Sequence, residues 1–199
     1  MIDTRRAARL AAWPLLAAGL LAIAYVAYVA VDANLYQARE RRRLEQMRPP
    51  APVASTGPVA PAAPPPVEGQ AFAEIEIPRL GLDAVVAQGD SAAILRRAVG
   101  HLDGTALPGQ AGNVVLAGHR DTFFLPLHGV REGDRITLRA GAAEFGYVVE
   151  WTKVVPPTDV QVIQPTAGRT LTLVTCYPFW YIGPAPRRFI VRARQVEGR

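Results

Sequence analysis

Apolar and polar positions divide this 199-residue chain into four regimes. Residues 10–31 run without a single charge. As a helix rising about 1.5 Å per residue they reach about 33 Å, enough to cross a hydrocarbon core of about 30 Å. Pro14 falls in the first turn, where a helix tolerates it. Trp13, Tyr25 and Tyr28 suit the two bilayer interfaces. The run is longer than the roughly 7–15 apolar residues of a cleaved signal, so it reads as an uncleaved signal-anchor behind a short cytoplasmic N-terminus, residues 1–9. Residues 32–48 are rich in arginine and glutamate and lack glycine and proline. They predict a charged juxtamembrane helix, with Glu40 and Glu45 offsetting some arginine charge at helical spacing. Residues 49–68 hold eight prolines. Such a stretch packs no core and predicts an extended linker, reaching about 60 Å at about 3.1 Å per residue.

From residue 69 onward the period shortens to two. Strands are predicted at 72–77, 84–88, 113–117, 135–139, 144–155, 171–175 and 188–194, punctuated by glycine, proline and aspartate. Residues 91–99 predict a short helix capped by Asp90 or Ser91, and 157–163 a further helical turn. Many strands and few helices in a single domain of about 130 residues give an all-β class, a closed barrel or a sandwich.

Charge changes the picture in two ways. Residues 1–48 carry eight arginines against four acids, whereas residues 69–199 are net +2. The domain has no basic stripe with interleaved aromatics, so nucleic acid is not an expected partner. Three arginines precede the apolar run and five follow it closely. That count alone would keep the C-terminal side in the cytoplasm. Large domains translocate largely regardless of charge, and a short N-terminus before a long domain is a common signal-anchor arrangement, so the C-terminal domain is expected outside.

Candidate chemistry starts from the one cysteine, Cys176, which closes the run Leu171-Thr172-Leu173-Val174-Thr175. A lone thiol makes no intrachain disulfide, and it is either an inert core group or a reactive one. It stands at a strand end beside Tyr177-Pro178, a better place for chemistry than for packing. A cysteine nucleophile needs a base, usually a histidine distant in sequence. Of His101, His119 and His128, it is His119 that follows a strand-like run, with Gly118 at the turn. Arg187-Arg188 open the last strand, and an arginine there could hold a developing oxyanion.

Taken together these segments resemble sortases. Thr170-Leu171-Thr172-Leu173-Val174-Thr175-Cys176 resembles their T-L-x-T-C signature, Ala117-Gly118-His119 their histidine segment, and Arg188-Phe189-Ile190-Val191 their arginine strand. The stretches 117–124 and 174–179 look most like class D sortases. The resemblance covers about residues 70–199. It implies an eight-stranded sortase-like β-barrel with short helices. It implies a membrane-anchored cysteine transpeptidase that cleaves an L-P-x-T-G-like C-terminal sorting signal through a thioester. The acceptor would be an amine, from a peptidoglycan peptide or a pilin lysine, and no cofactor or metal would be needed. The catalytic set would be Cys176, His119 and Arg188, on the extracytoplasmic side of the cell membrane. Other readings are an L,D-transpeptidase, a thiol protease, or an anchored binding domain with an idle thiol. The first expects S-x-G-C, where this chain has Val174-Thr175-Cys176.

Alternation assigns faces. Cys176 shares one with Thr172 and Val174, and Arg188 shares one with Ile190, opposite Phe189, Val191 and Ala193. With the apolar face inward, Cys176, His119 and Arg188 border an external groove. Val174, Thr175, Ile190, Tyr177 and His101 are the expected substrate-binding residues, and Asp121 is a candidate for orienting His119.

Overall fold

The computed structural model describes residues 4–47 and 65–196. Helix α1 (Thr4–Met47) is continuous through the apolar run and the polar segment after it. Its residues 12–28 are exposed, and it is long and apolar enough to cross a membrane. Most of the proline-rich stretch lies outside the described residues.

Eight strands follow: β1 (Ala71–Ile77), β2 (Leu82–Gln88), β3 (Val99–His101), β4 (Gly112–Ala117), β5 (Arg135–Ala140), β6 (Ala143–Val155), β7 (Arg169–Tyr177) and β8 (Arg187–Val196). They close into a barrel in the order β1-β2-β3-β4-β7-β8-β6-β5. Closure removes the open edges that would otherwise template aggregation. Two neighbouring pairs are parallel, β2 with β3 and β4 with β7; the others are antiparallel. A parallel pair needs a crossover. The β5–β6 hairpin supplies one between β4 and β7. The one-turn helix α2 (Ala92–Leu95) supplies the other, between β2 and β3.

β3 is the eighth strand, and it corrects the helix expected over 91–99. Helix forms only over Ala92–Leu95, and the Ser91 side chain caps nothing. The chain then leaves to pair Val99 with Val86, and Val99 is fully buried. Burying a β-branched residue between two strands outweighs its weak helical preference. The turn expected at 157–163 forms as 3-10 helix over Val160–Ile163, with the Asp159 carboxylate accepting from the Gln161 N–H at 3.3 Å.

Alternation fills the barrel. Ile75, Ile77, Val114, Leu116, Ile136, Leu138, Leu171, Leu173, Val191 and Ala193 point inward and form one core. Each fully buried aliphatic among them contributes about 1.5–3 kcal/mol relative to an exposed position. The other face of β7 and β8 therefore points outward, as expected for Cys176 and Arg188.

The polar half of α1 lies against the barrel. Leu44 packs with Ala71 and Val85, and Tyr36 joins them. Gln37 accepts the Val85 N–H at 2.8 Å and donates to the Arg97 carbonyl at 2.6 Å. Arg41 forks onto Asp83 at 2.6 and 3.0 Å, and Arg97 onto Asp32 at 2.6 and 3.3 Å.

Candidate active site

The site is built on three neighbouring strands. β7 is central, with β8 antiparallel on one side and β4 parallel on the other. Cys176 and Arg188 are register partners, so their Cβ atoms stand about 4.5–5.5 Å apart on the outer face. On the β4 side, Ala117 pairs with Val174, and the Gly118 N–H reaches the Val174 carbonyl at 3.2 Å. β4 ends there, and the Gly118 bond holds the segment that leads into His119 beside the end of β7. The thiol thus sits between the histidine strand end and the arginine strand start.

Local sequence fixes each member. At Gly118 a Cβ would stand 2.8 Å from the Phe124 ring, so only glycine lets the chain pass. Phe124 is fully buried, and its N–H bonds to the His119 carbonyl at 3.1 Å. The chain after His119 is thereby folded back and pinned. The Thr175 hydroxyl donates to the Gly118 carbonyl at 2.7 Å, tying the two strand ends together beside Cys176.

Cys176 and His119 are half-buried, and among the described residues neither side chain has a hydrogen-bond partner. Both are open to a substrate. Arg188 uses Nη1 on the carbonyls of Ala185 (3.2 Å) and Arg187 (3.1 Å), leaving Nε and Nη2 free to donate. A fixed fork with two spare donors is suited to an oxygen that gains charge.

Four of the expected site residues are placed differently. His101 is 2% exposed, with Nδ1 on Gln88 Oε1 at 2.9 Å and Nε2 near the Ala106 carbonyl (2.9 Å) and the Thr105 hydroxyl (3.0 Å). Its ring meets Phe72 edge-on at 5.6 Å. Burial pushes its pKa below the ordinary value. It is a satisfied interior histidine and lines no groove. Thr175 is 3% exposed and faces inward opposite Phe189, where it holds the backbone. Ile190 has the expected parity, paired with Val174, but is 0% exposed. Further along the same face the β6–β7 connection is bonded down, its Val162 carbonyl accepting from Arg192 at 2.7 Å and from Asn113 at 3.3 Å. Alternation gives a residue's face and says nothing of what covers it. Asp121 is exposed and bonds to no described residue, so it does not orient His119. Val174 and Tyr177 remain half-exposed beside the thiol.

Other residues near the site were not singled out by the sequence. The Tyr177 ring stacks on Phe189 at 6.3 Å, and Phe179 meets Phe189 edge-on at 5.4 Å. These aromatics wall the end of β7. Arg120 donates through Nη2 to the carbonyls of Tyr181 (2.6 Å) and Gly183 (3.0 Å), clipping the β7–β8 connection to the residue after His119. Trp180 and Ile182 project from that connection, Ile182 98% exposed. The run Phe179-Trp180-Tyr181-Ile182 was the available signal, since four large apolar residues in a connection ask for a partner.

Comparison with known proteins gives the same picture. The sortase domain family model matches residues 75–196. Sortase D of Bacillus subtilis is 36% identical over 132 residues, 66% of this chain and 67% of the relative. Sortase SrtE1 of Streptomyces coelicolor is 35% identical over 150 residues, and the match spans 42% of its length. Among solved structures, the Clostridium perfringens sortase D5 transpeptidase superposes with a TM-score of 0.61 at 29% identity, covering 67% of this chain and 83% of that one. Sortase A of Corynebacterium diphtheriae superposes with a TM-score of 0.61 at 31% identity, covering 65% and 62%. The family match runs over more than half of the chain and takes in all the strands around Cys176, so this chain belongs to the sortase family.

Proposed function

We propose that this chain is a membrane-anchored cysteine transpeptidase that cleaves a C-terminal sorting signal and joins the new acyl end to an amine. The carrying observation is the pairing of Cys176 with Arg188 on an outer barrel face, with His119 two residues past the end of β4, the strand on the other side. The Cys176 thiolate attacks the scissile carbonyl, since the thiolate is the nucleophile. The C–S bond forms and the carbonyl electron pair moves to oxygen. Arg188 donates to that oxyanion through its free nitrogens. As the intermediate collapses, the C–N bond breaks and protonated His119 gives its proton to the leaving amine. A thioester remains. An incoming amine attacks it, His119 takes the amine's proton, and the thiolate departs.

Val174, on the thiol's own face, forms the candidate floor for an extended peptide, and Tyr177, of opposite parity and stacked on Phe189, walls its end. The L-P-x-T-G-like signal and the peptidoglycan or pilin amine are the family expectation for substrate and acceptor. Residues 10–31 serve as the anchor, with the barrel outside the cytoplasm.

The test is product mass spectrometry. The full chain is incubated with a peptide library ending in sorting signals and with candidate amines. The expected result is an acyl adduct on Cys176 and an amide product that carries the added amine. Intact peptides with an unmodified Cys176 would reject the reading. Hydrolysis with no amide product would assign a protease instead.

A further inference from the structure

Burial along α1 has a sharp onset. Residues 12–28 are exposed, and from Val29 the covered positions recur every three or four residues, through Ala33, Gln37 and Arg41 to Leu44. This is a single helical stripe about 23 Å long. Its C-terminal part is bonded to the barrel, from Gln37 on the Val85 N–H through the Arg41–Asp83 fork to the Leu44 contact with Val85. The stripe begins inside the last turn of the charge-free run 10–31. No length of free chain therefore separates the apolar run from the barrel. The helix that leaves the bilayer is already docked when it leaves.

A groove of about 560 Å3 opens at that junction. One wall is Val26, Val29 and Ala30 of α1, and the other is Leu82, Phe123 and Pro126 of the barrel. Arg96 stands among its lining residues. The apolar wall on α1 is continuous with the exposed face of the run above it. Asp83 also lines it but is forked by Arg41, so the groove suits an occupant with hydrocarbon along that wall and negative charge near Arg96. A phospholipid of the adjoining leaflet has both. Apolar groups at this depth are normal, and arginine near the surface is attracted to anionic headgroups.

We propose that the second half of α1 clamps the barrel directly onto the bilayer surface, and that this groove is filled by a phospholipid. The proposal rests on the reading of residues 10–31 as a membrane span. It replaces the picture of a domain swinging on a proline-rich spacer about 60 Å long. Its functional consequence lies in Thr122 and Phe123, three and four residues past His119. Seating them at the headgroups places the histidine end of the cleft beside the membrane, where the acyl donor and acceptor would be met close to the surface.

The experiment uses the full chain carrying Cys176→Ala, so that one introduced thiol takes the label. Thr122→Cys lies in the groove, and Thr158→Cys lies on the exposed β6–β7 connection as control. Each is labelled with an environment-sensitive fluorophore. The chains are inserted into vesicles of phosphatidylglycerol and phosphatidylethanolamine carrying a spin-labelled lipid with its quencher near the headgroup. Quenching several-fold stronger at 122 than at 158 is expected. Adding Leu44→Asp with Gln37→Ala, both outside the groove, should bring the 122 signal down to the 158 level while the barrel's own unfolding transition persists. Equal quenching at the two sites in a chain that co-floats with the vesicles overturns the clamp. Quenching at 122 that disappears as chains are diluted in lipid, with energy transfer between copies, assigns the groove to a second copy and overturns the lipid. A chain that does not co-float defeats the span itself, a separate and recognisable failure.

Discussion

Cys176 and Arg188 are opposed residues in the β7–β8 ladder, whereas the neighbouring Arg187 is opposed to Tyr177 and is exposed. One residue of register thus decides which of two adjacent arginines reaches the thiol, because successive strand residues point to opposite faces.

Arg188→Ala and Arg188→Lys are both expected to lower kcat/KM by about 100-fold or more, the cost of removing an oxyanion donor. Lysine keeps the charge and loses the fork that holds its position on two carbonyls while still donating. Arg187→Ala should cost far less. Steady-state kinetics on one peptide compares the three, and a crippled Arg187→Ala enzyme would reverse the assignment.

Cys176→Ala should abolish cleavage and leave the fold intact. The side chain is half-exposed at a strand end, so truncation leaves no enclosed cavity, and the expected stability change is within about 1 kcal/mol. Thermal unfolding and peptide cleavage measured on one preparation separate the two effects. Residual turnover would remove Cys176 from the chemistry.

The strands that carry this site were legible because each long run obeys one rule. Leu171 and Leu173 in one run and Phe189, Val191 and Ala193 in the other recur at every second position, and a buried core enforces that parity although Thr175 and Ile190 break the apolar–polar alternation. β3 was not legible. Its three residues are too short for a period to register, and Val99 takes its conformation from pairing with Val86 across the chain. The same limit governed the site. Parity put Ile190 on the correct face but carried no sign that it is fully buried there. His101 looked available because a histidine between Gly100 and Leu102 gives no hint that Gln88, Thr105 and Ala106 surround it. The docking of α1 was hidden for another reason. Its polar half reads as solvated, and the hydrogen-bond partners of Asp32, Gln37 and Arg41 lie 42 to 65 residues away.

His101 gives a pH prediction. Burial lowers its pKa, so it is neutral in the fold, while the unfolded chain binds a proton below about 6.5. Below that value the unfolded state holds more protons, so stability rises with pH. The contribution is complete above about 6.5 and is lost as pH falls toward the folded value. His101→Gln should be less stable at pH 7 by about 1–2 kcal/mol, from hydrogen bonds lost in a buried site. Its stability should also vary less between pH 7 and 5 than that of the parent. Parallel denaturation midpoints across that range would show that His101 does not titrate there.

The α1 contacts give a stability prediction that needs no membrane. A chain from residue 69 keeps every barrel strand but uncovers Val85 and Ala71 and leaves the Val85 N–H without Gln37. A chain from residue 32 retains the docked half of the helix. The shorter chain should fold and be less stable by about 2 kcal/mol, the scale of burying one Leu44 side chain. Urea midpoints with equal slopes report the difference. Coincident curves would mean that the helix contributes nothing in water.

The last prediction concerns Arg120, which joins the histidine segment to the β7–β8 connection. Its Nη2 donates to two carbonyls of that connection, and its guanidinium lies 5.9 Å from the Tyr181 ring centroid. His119, immediately before it, is held by Phe124 and stays in place when the clip is cut. The connection that carries Trp180, Tyr181 and Ile182 would then keep its ends and the contact of Trp180 with the His128 ring at 5.7 Å, but lose its polar tether. Arg120→Ala should therefore act on binding more than on chemistry. Two charged hydrogen bonds at an exposed site are worth about 1.5 kcal/mol together, about a tenfold rise in KM. Lysine restores one donor and should recover part of the loss. The split between KM and kcat is the measurement that decides. A fall in kcat with KM unchanged would place Arg120 among the groups acting on the reacting atoms, and equal KM values for the alanine variant and the parent would mean that the connection does not hold the peptide.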